Sequence, residues 1–346
     1  MRVMCAMSGG VDSSVAAALL LEEGHDVTGV TLKLWGGESD SGCCSVSDVE
    51  DARRVAQQLG IAHHIFNFGE DFDRDVVDLY VAEHAANRTP NPCIECNRSI
   101  KFARLLERAR ALGFDRLATG HHARVVIDGA GHLRVGRGAD TAKDQSYVLH
   151  MLDQSQLAST LFPVGSITKG EVRQRATALG LRTADKAESQ EVCFIAGGSK
   201  GREVFLGERI SLTPARVVDR EGAELGQVSA RELVTVGQRR GLGIAGSAEP
   251  RFVVDVDATS GQITVGPAED LLSNSTPLGP ISWSSDPVDD AAPVLAQTSA
   301  HGAAAPARLI GGAVQWEEPH PRVAPGQSVV LYDPANQYVL GGAPAS

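Results

Sequence analysis

The stretch Ala6-Met7-Ser8-Gly9-Gly10-Val11-Asp12-Ser13-Ser14 decides the fold of this chain. An apolar run at residues 3–7 predicts a buried strand, and an alanine- and leucine-rich run at residues 15–23 predicts a helix that Gly24 can cap. A Ser/Gly/Asp turn between a strand and a helix collects backbone N–H groups at the positive end of the helix dipole. Its glycines let the backbone approach a ligand closely. The sequence therefore predicts an anion site, most naturally for phosphate. No Gly-Lys-Ser/Thr follows, so this is not a Walker A loop.

The first half of the chain alternates short apolar runs with helical patterns. Strands are predicted at residues 27–35, 63–68 and 116–120, and helices at 48–59, 70–87 and 97–112. This rhythm predicts an α/β fold with a parallel sheet covered by helices. Ligands of such sheets bind at the carboxyl ends of the strands, where the loop at residues 8–13 and the Thr119–His122 turn both fall.

The composition changes beyond Lys200, where lysine stops and glycine and proline become frequent. We predict three units: a catalytic domain at residues 1–200, a small central domain at 201–270 and a β-barrel-like domain at 271–346. Residues 284–307, rich in Pro, Ala and Asp, are predicted to form a mobile loop or an edge. The short β-like runs beyond Lys200 are residues 215–218, 233–236, 252–256, 263–265 and 329–332.

Composition limits the functional classes. The chain has 346 residues, 42% of them hydrophobic and 22% charged, which is typical of globular proteins, and it carries neither a signal-peptide pattern nor an apolar run long enough to span a bilayer. Its net charge of −11 argues weakly against nucleic acid. Residues 88–124, however, contain eight Lys/Arg and three acids, which suits a phosphate backbone. Six unevenly spaced cysteines favour a cytoplasmic location with reactive or metal-binding thiols.

Three cysteines are candidates for chemistry. Cys93 and Cys96 form a C-x-x-C just before a predicted helix, where the helix dipole and nearby cations favour the thiolate. Cys193 is far away in sequence, so only the fold could bring it close. Cys5 falls in the first strand and is expected to be a core residue. The vicinal pair at positions 43 and 44 has no partner motif and is expected to be structural.

The loop resembles the PP-loop of ATP pyrophosphatases, which split ATP into AMP and pyrophosphate and adenylate a second substrate. The full set of motifs resembles the bacterial tRNA-specific 2-thiouridylases, which place sulfur at C2 of the wobble uridine. The resemblance covers the chain to about residue 245 and returns near residues 324–328. It rests on residues 8–13, Asn91-Pro92-Cys93 with Cys96-Asn97, residues 118–124, Lys143-Asp144-Gln145-Ser146-Tyr147, residues 161–173, Glu188-Ser189 with Cys193-Phe194-Ile195, and residues 237–242.

The resemblance implies a PP-loop domain, a small central domain and a C-terminal β-barrel, and it assigns roles by position. Cys96 matches the nucleophile, and Cys193 matches the cysteine that carries the persulfide. The implied ATP-site residues are Ala6, Met7, Ser8, Gly9, Gly10, Val11, Asp12, Ser13, Leu32 and Gly120. The implied contacts to the target base or to tRNA are Asn91, Pro92, Cys93, His121, Lys143, Asp144, Gln145 and Gln327.

The implied substrates are ATP with Mg²⁺ and the anticodon loop of tRNA, with an upstream protein as persulfide donor and no membrane partner. Asp12 is a candidate for holding Mg²⁺, and Lys143 and Arg124 are candidates for offsetting developing charge. No protein-bound metal site is expected. A lesser alternative is an iron–sulfur cluster on Cys93, Cys96 and Cys193. Two other functions stay open: another PP-loop ligase, which would not need the cysteines, and a non-catalytic tRNA-binding relative.

The chain departs from the family pattern in three places. Cys93 stands where many relatives have Asp. Residues 227–236 lack the usual His-x-Gly and Tyr, and residues 297–301 lack the usual Arg-Tyr. The last two departures fall on the expected tRNA-binding side. They change the side chains available for contacts with tRNA, while the residues expected for the chemistry are present.

Overall fold

A computed structural model describes residues 1–34, 46–187, 192–195, 197–244, 249–257 and 259–346. Several positions discussed above lie outside these ranges: Trp35 at the end of the second predicted strand, Cys43 and Cys44, and the Glu188-Ser189 pair. The α-helices are α1 (Val11–Glu22), α2 (Val46–Leu59), α3 (Gly69–Phe72), α4 (Asp78–Ala85), α5 (Pro92–Glu95), α6 (Leu106–Ala111), α7 (Gln154–Leu157), α8 (Lys169–Ala178) and α9 (Gly198–Gly207).

The strands follow in chain order. They are β1 (Arg2–Ala6), β2 (Asp26–Lys33), β3 (Ala62–Asn67), β4 (Arg116–Ala118), β5 (Ala123–Ile127), β6 (Leu133–Arg137), β7 (Thr160–Leu161), β8 (Ala215–Val218), β9 (Glu224–Val228), β10 (Phe252–Asp257), β11 (Gln262–Gly266), β12 (Leu272–Pro277), β13 (Ser282–Trp283), β14 (Pro293–Gln297), β15 (Ala305–Ile310), β16 (Ala313–Pro321), β17 (Ser328–Tyr332) and β18 (Val339–Pro344).

The N-terminal unit contains the predicted parallel sheet, with strand order β3-β2-β1-β4-β7. Side chains of β1 alternate between its two faces. Met4 belongs to the same buried cluster as Ile100 and Phe102, whereas Val3 and Cys5 belong to a second cluster with the apolar side chains of α1. Helices therefore cover both sides of the sheet, and the carboxyl ends of its strands open onto one common edge.

Two helical regions contain wider π-helical turns. Residues Asp73–Val77 join α3 to α4, and residues Cys96–Leu105 join α5 to α6 into one continuous helix that starts at Pro92. The start of this helix corrects the sequence expectation. Cys93 and Cys96 lie within its first turns and not before it, because Asn91 caps the helix and Pro92 occupies its first position.

The two later units are built from antiparallel and mixed sheets. The central sheet has the order β10-β11-β8-β9, and the C-terminal sheet has the order β12-β16-β15-β14-β17-β18-β13. The strand predicted at 233–236 is absent from this described segment, where a short 3₁₀ turn, Arg231–Leu233, leads into irregular chain. The mobile loop or edge predicted for residues 284–307 is also wrong in part. β14 lies between β15 and β17 with Val294 and Ala296 buried.

The three units meet at Thr89. Its N–H donates to the carbonyl of Pro325 in the C-terminal unit at 2.7 Å, and its hydroxyl is 3.2 Å from the hydroxyl of Thr235 in the central unit. Gly326, at φ +83°, lies against Arg88, where a Cβ would come within 2.9 Å of the Arg88 Cβ. The segment that leads into Asn91 and Cys93 is thus held from both later units.

Candidate functional site

A cavity of about 360 Å³ opens where β1, β2 and β4 end. It brings together segments that are far apart in sequence. The lining residues are Ala6, Met7, Ser8, Gly10, Asp12, Ser13, Val30, Thr31, Leu32, Leu34, Phe72, Pro92, Cys93, Cys96, Lys101, Thr119, Gly120, His121, Gln145, Val192, Cys193 and Phe194. The predicted phosphate loop and the three candidate cysteines therefore share one cavity.

The phosphate loop is held by its own hydroxyl groups. The Ser13 hydroxyl accepts from the Ser8 N–H at 3.1 Å and donates to the Gly10 carbonyl at 3.1 Å, and the Ser14 hydroxyl donates to the same carbonyl at 2.8 Å. Gly10 is the N-cap of α1, so the first N–H groups of that helix face the end of the loop. The loop therefore presents the positive end of α1 to the cavity.

Two glycines allow close backbone packing around the loop. Gly9 has φ +75°, and a Cβ there would lie 2.2 Å from the Asp48 carbonyl oxygen at the start of α2. A Cβ on Gly120 would lie 2.6 Å from the Ser13 nitrogen. By contrast, a Cβ on Gly10 would meet nothing closer than the Ser8 hydroxyl at 3.5 Å. Gly9 and Gly120 are needed for packing, whereas Gly10 has room on its cavity side.

Asp12 has partners that the motif alone did not reveal. The Lys169 ammonium donates to both Asp12 carboxylate oxygens at 2.7 Å, and His122 Nε2 lies 3.1 Å from one of them. Burial alone would raise the pKa of Asp12, but the hydrogen bonds from His122 and Lys169 outweigh it and lower that pKa. Since these groups occupy the carboxylate, the arrangement gives no support for Asp12 as the magnesium ligand. Lys169 stands within the quoted motif at residues 161–173, but no spacing rule connects it to Asp12.

The cysteines differ in exposure. Cys93 is exposed, Cys96 is buried and Cys193 is half-buried. Asn91, expected to face the target base, uses its side-chain oxygen to accept from the N–H groups of Cys93 at 3.0 Å and Ile94 at 3.4 Å. It therefore positions the helix that carries Cys93 and Cys96. Cys5 is fully buried, and desolvation raises the pKa of its thiol to about 12, as suits an inert core residue.

Cys193 is held at the cavity by its neighbour. The Phe194 ring packs edge-on against Phe72 and Tyr80, with centroid distances of 5.7 and 5.4 Å, and lies 5.2 Å from Phe205 of α9. Within the described ranges, no group of three or more His, Cys, Asp or Glu side chains is arranged to hold a metal ion. Although Cys93, Cys96 and Cys193 line one cavity, they do not form such a group in the arrangement that the described residues adopt.

His121 and Gln145 complete one wall of the cavity. The His121 ring lies between Phe102 and Phe162, with centroid distances of 5.9 and 6.0 Å, and its Nδ1 is 2.7 Å from the Thr119 hydroxyl. Desolvation, helped by the nearby Lys101, holds the pKa of His121 well below its usual value. His121 is therefore neutral near pH 7 and can offer a hydrogen bond without adding charge to the site.

Other expected tRNA contacts do not line the cavity among the residues the structure describes. The Asp144 carboxylate accepts from Arg137 and the Ser146 hydroxyl, at 2.8 and 2.7 Å, and its side chain is only 8% exposed. Lys143 precedes this buried group, and Gln327 lies in the turn before β17. Arg124, a candidate for offsetting charge, donates from Nε to the Arg137 carbonyl at 2.6 Å.

The basic stretch at residues 88–124 is largely paired within the protein. Arg104 binds Asp75 at 2.8 Å and Asp71 at 3.3 Å, and Arg98 lies 3.3 Å from Glu95. The Arg108 guanidinium lies over the Phe66 ring, 5.6 Å from its centroid. The net positive count of this stretch therefore overstates the charge it offers to a phosphate backbone.

The fold and the cavity define a nucleotide-binding α/β enzyme of the PP-loop class. Family models match most of the chain in three parts: a tRNA methyl transferase HUP domain at residues 1–197, a tRNA methyl transferase PRC-barrel domain at 203–267 and an aminomethyltransferase beta-barrel domain at 281–344. The fold class expected from the sequence, a parallel-sheet domain followed by a small central and a barrel-like domain, is confirmed.

Curated relatives identify the family. A tRNA-specific 2-thiouridylase of Chloroflexus aurantiacus is 46% identical over 99% of this chain and 97% of its own length. The corresponding protein of Roseiflexus castenholzii is 46% identical over 99% and 98%. The chain belongs to the tRNA-specific 2-thiouridylase family, as its motifs indicated, and is a tRNA sulfurtransferase. The relatives over the full length are thiouridylases, so the methyl-transfer wording of the domain models does not describe this activity.

A solved structure that matches part of this chain is the U34-tRNA thiolase NcsA of Methanococcus maripaludis, described with its [4Fe-4S] cluster. It is 20% identical, has a TM-score of 0.38, and the match covers 60% of this chain and 65% of that one. Separately, none of the helices in the described ranges is long and apolar enough to cross a membrane.

Proposed function

We propose that this protein 2-thiolates the wobble uridine of tRNA, with ATP activating the base and a cysteine persulfide supplying sulfur. One observation carries the proposal. A single cavity is lined by the phosphate loop, by Cys96 on a helix start and by Cys193 from nearly a hundred residues further along the chain. A PP-loop ligase that forms an amide or guanidino group has no use for that pair of thiols.

The two halves of the cavity suit the two halves of the reaction. The C2 carbonyl of uracil has no leaving group, so its oxygen first attacks the α-phosphorus of ATP and displaces pyrophosphate. The residues we propose for ATP are those of the loop, Ala6 to Ser13, with Leu32 and Gly120; all except Gly9 and Val11 line the cavity. Mg²⁺ bound chiefly through the phosphates of ATP would supply charge neutralisation there.

Sulfur then replaces the adenylated oxygen, and AMP leaves with that oxygen. We propose that Cys193 carries the persulfide, loaded by an upstream donor protein. Cys96 then acts as a thiolate in one of two ways. In the first, it attacks the activated C2 and displaces AMP; the outer sulfur of the Cys193 persulfide then displaces Cys96 from C2, and the freed Cys96 thiolate attacks the inner Cys193 sulfur, which leaves 2-thiouridine and a Cys96–Cys193 disulfide. In the second, it attacks the inner Cys193 sulfur and releases HS⁻, which displaces AMP from C2; the same disulfide remains for later reduction.

The target base must leave its stack to enter the cavity, which is easier in an anticodon loop than in a duplex. Pro92, Cys93, His121 and Gln145 line the cavity and are proposed to face the base. Lys143 and Gln327 are proposed to contact tRNA outside it. The proposed domain limits remain residues 1–200, 201–270 and 271–346, and the proposed location is the cytoplasm.

The direct test is incubation of the protein with unmodified tRNA, Mg²⁺-ATP and a persulfide donor, followed by mass spectrometry of the nucleosides. We expect 2-thiouridine at the wobble position, with AMP and pyrophosphate formed in equal amounts. ATP cleavage that gives a modified base without sulfur would favour another PP-loop chemistry. Binding of tRNA with no AMP release would favour a non-catalytic relative.

A further inference from the structure

Lys186 connects three parts of the molecule around the phosphate loop. Its ammonium donates to the Gly9 carbonyl at 3.0 Å, to Asp48 at 2.5 Å and to Asp51 at 2.7 Å, so all three of its N–H donors have acceptors. Asp48 and Asp51 belong to α2, and their side chains are 16% and 15% exposed. Burial disfavours the ammonium, but the hydrogen bonds to Asp48 and Asp51 outweigh it and raise the pKa of Lys186.

The contact between Lys186 and the Gly9 carbonyl also fixes the direction of the Gly10 N–H, which belongs to the same peptide group. The Gly9–Gly10 peptide is trans and planar, so its carbonyl and its N–H point in opposite directions. Lys186 holds the carbonyl, and the Gly10 N–H therefore points away from Lys186. Gly10 is a residue of the cavity wall, whereas Gly9 packs against Asp48. A flip of this peptide would present a carbonyl oxygen where the phosphate loop needs a donor.

Flanking contacts hold the Lys186 backbone in place. Arg173 of α8 donates to the carbonyls of Ala184 at 2.6 Å and Lys186 at 3.2 Å, and Arg182 binds Asp51 at 2.8 Å. The backbone on which Lys186 sits is therefore anchored independently of its ammonium. This makes the ammonium a fixed donor and not a mobile surface charge.

We infer that Lys186 is a positioning residue for ATP binding: by holding the Gly9 carbonyl, it orients the Gly9–Gly10 peptide so that the loop offers N–H groups to the phosphates. The inference rests on the proposed function, since it names the loop as the ATP site. It assigns Lys186 no contact with ATP itself, because Lys186 lies on the opposite side of the peptide.

The test compares Lys186→Met with a matched control, Arg182→Gln. Both residues bind Asp51 and lie in the same segment, but Lys186 is the one bonded to Gly9. Affinity for Mg²⁺-ATP is measured by calorimetric titration without tRNA, alongside the thermal unfolding midpoint. We expect Lys186→Met to weaken ATP binding roughly tenfold, as for loss of a charge-assisted hydrogen bond, and Arg182→Gln to change it less than about twofold, as for an exposed ion pair.

The inference is overturned if both variants weaken ATP binding equally, since segment docking alone would then explain the effect, or if Lys186→Met binds ATP like the unmodified protein. Should the Met variant fail to fold, Lys186→Arg replaces it, with ATP affinity expected to fall below that of Arg182→Gln; equal affinities would reject the role. Failure of the proposed function shows separately, as absence of 2-thiouridine with the unmodified protein, whatever the ATP affinities are.

Discussion

The phosphate loop at residues 8–13 and the segment Lys143–Gln145 both belong to the motif set, yet their carboxylates have different surroundings. Asp12 lies on the cavity wall, where Lys169 and His122 bind it. Asp144 does not line the cavity and binds Arg137, which also donates to Gln297 of the C-terminal unit at 2.8 Å. A charged residue inside a motif can therefore belong either to the ligand site or to the contact between domains. The motif alone does not tell which of the two applies.

The largest expected effect is on the cavity side of this comparison. Cys96→Ser and Cys193→Ser should each lower thiolation at least about a thousand-fold, as expected when a nucleophile is removed, while ATP affinity stays unchanged. Thiolation is measured as 2-thiouridine per tRNA by mass spectrometry.

Cys93→Ser is the matched control, because Cys93 lines the same cavity as the other two cysteines and lies on the same helix as Cys96. It should keep substantial activity under reducing conditions. Complete loss of thiolation in Cys93→Ser would show that the three cysteines act as one set, contrary to the pairing of Cys96 with Cys193.

Substitutions of the two loop glycines should have different effects: Gly9 is needed for packing, and Gly10 for close approach of the ligand. Gly10→Ala should fold normally, because its Cβ would meet nothing within 3.4 Å, yet it should reduce ATP-dependent turnover about a hundred-fold by crowding the phosphates. Gly9→Ala should instead lower the free energy of unfolding by several kcal/mol, because of its positive φ and the close Asp48 carbonyl.

Chemical denaturation and steady-state kinetics of both glycine variants provide the check. Normal turnover in Gly10→Ala would contradict the assignment of the loop to phosphate. Unchanged stability in Gly9→Ala would contradict the close packing of the loop on α2.

On the domain-contact side, Asp144→Ala should lower the free energy of unfolding by about 3 kcal/mol, because it leaves the largely buried Arg137 without its carboxylate. The KM for ATP should change less than about twofold, since Asp144 does not line the cavity. Urea unfolding and ATP kinetics test both parts. A large rise in the KM for ATP with normal stability would show that Asp144 belongs to the ligand site, as Asp12 does, and would contradict its assignment to the domain contact.

The smallest effect is a pH dependence at the same domain contact. His150 is buried against Gly342 of β18, and desolvation lowers the pKa of His150 from 6.5 to about 4. Between these values the unfolded chain binds more protons than the folded one, so stability is fully present above pH 6.5 and is lost as the pH falls toward 4. Between pH 7.5 and pH 4.5 the loss of stability from this group is at most about 2.5 kcal/mol, which is less than the loss expected for Asp144→Ala.

Unfolding midpoints measured from pH 7.5 to 4.5 check this prediction, with His150→Gln compared with the exposed His301→Gln. The dependence of stability on pH should become weaker in His150→Gln and should stay the same in His301→Gln. It should not vanish in His150→Gln, because His84 and His121 also have lowered pKa values and contribute to it. Equal slopes in the two variants would show that His150 does not titrate as its burial implies.

Much of the N-terminal unit followed from local patterns. Apolar runs of strand length alternate with amphipathic helices there, and the predicted strands at residues 3–7, 27–35, 63–68 and 116–120 correspond to β1 to β4 within a few residues. The later units were harder to predict, because several of their strands contain proline. β14 begins at Pro293 yet lies inside the sheet, since only its first residue lacks an N–H donor.

By itself, the sequence determined the class of this protein. The strand–loop–helix at its start, the three cysteines and the order of its motifs can be recognised from the sequence because each motif consists of residues that are close together in the chain. Tertiary structure alone decided which motif residues meet. Lys169 and Lys186 contact the phosphate loop although they lie more than 150 residues further along the chain. Asp144 binds Arg137 and does not line the cavity. Charge pairing and burial depend on the partners across the fold, and no spacing along the chain records them.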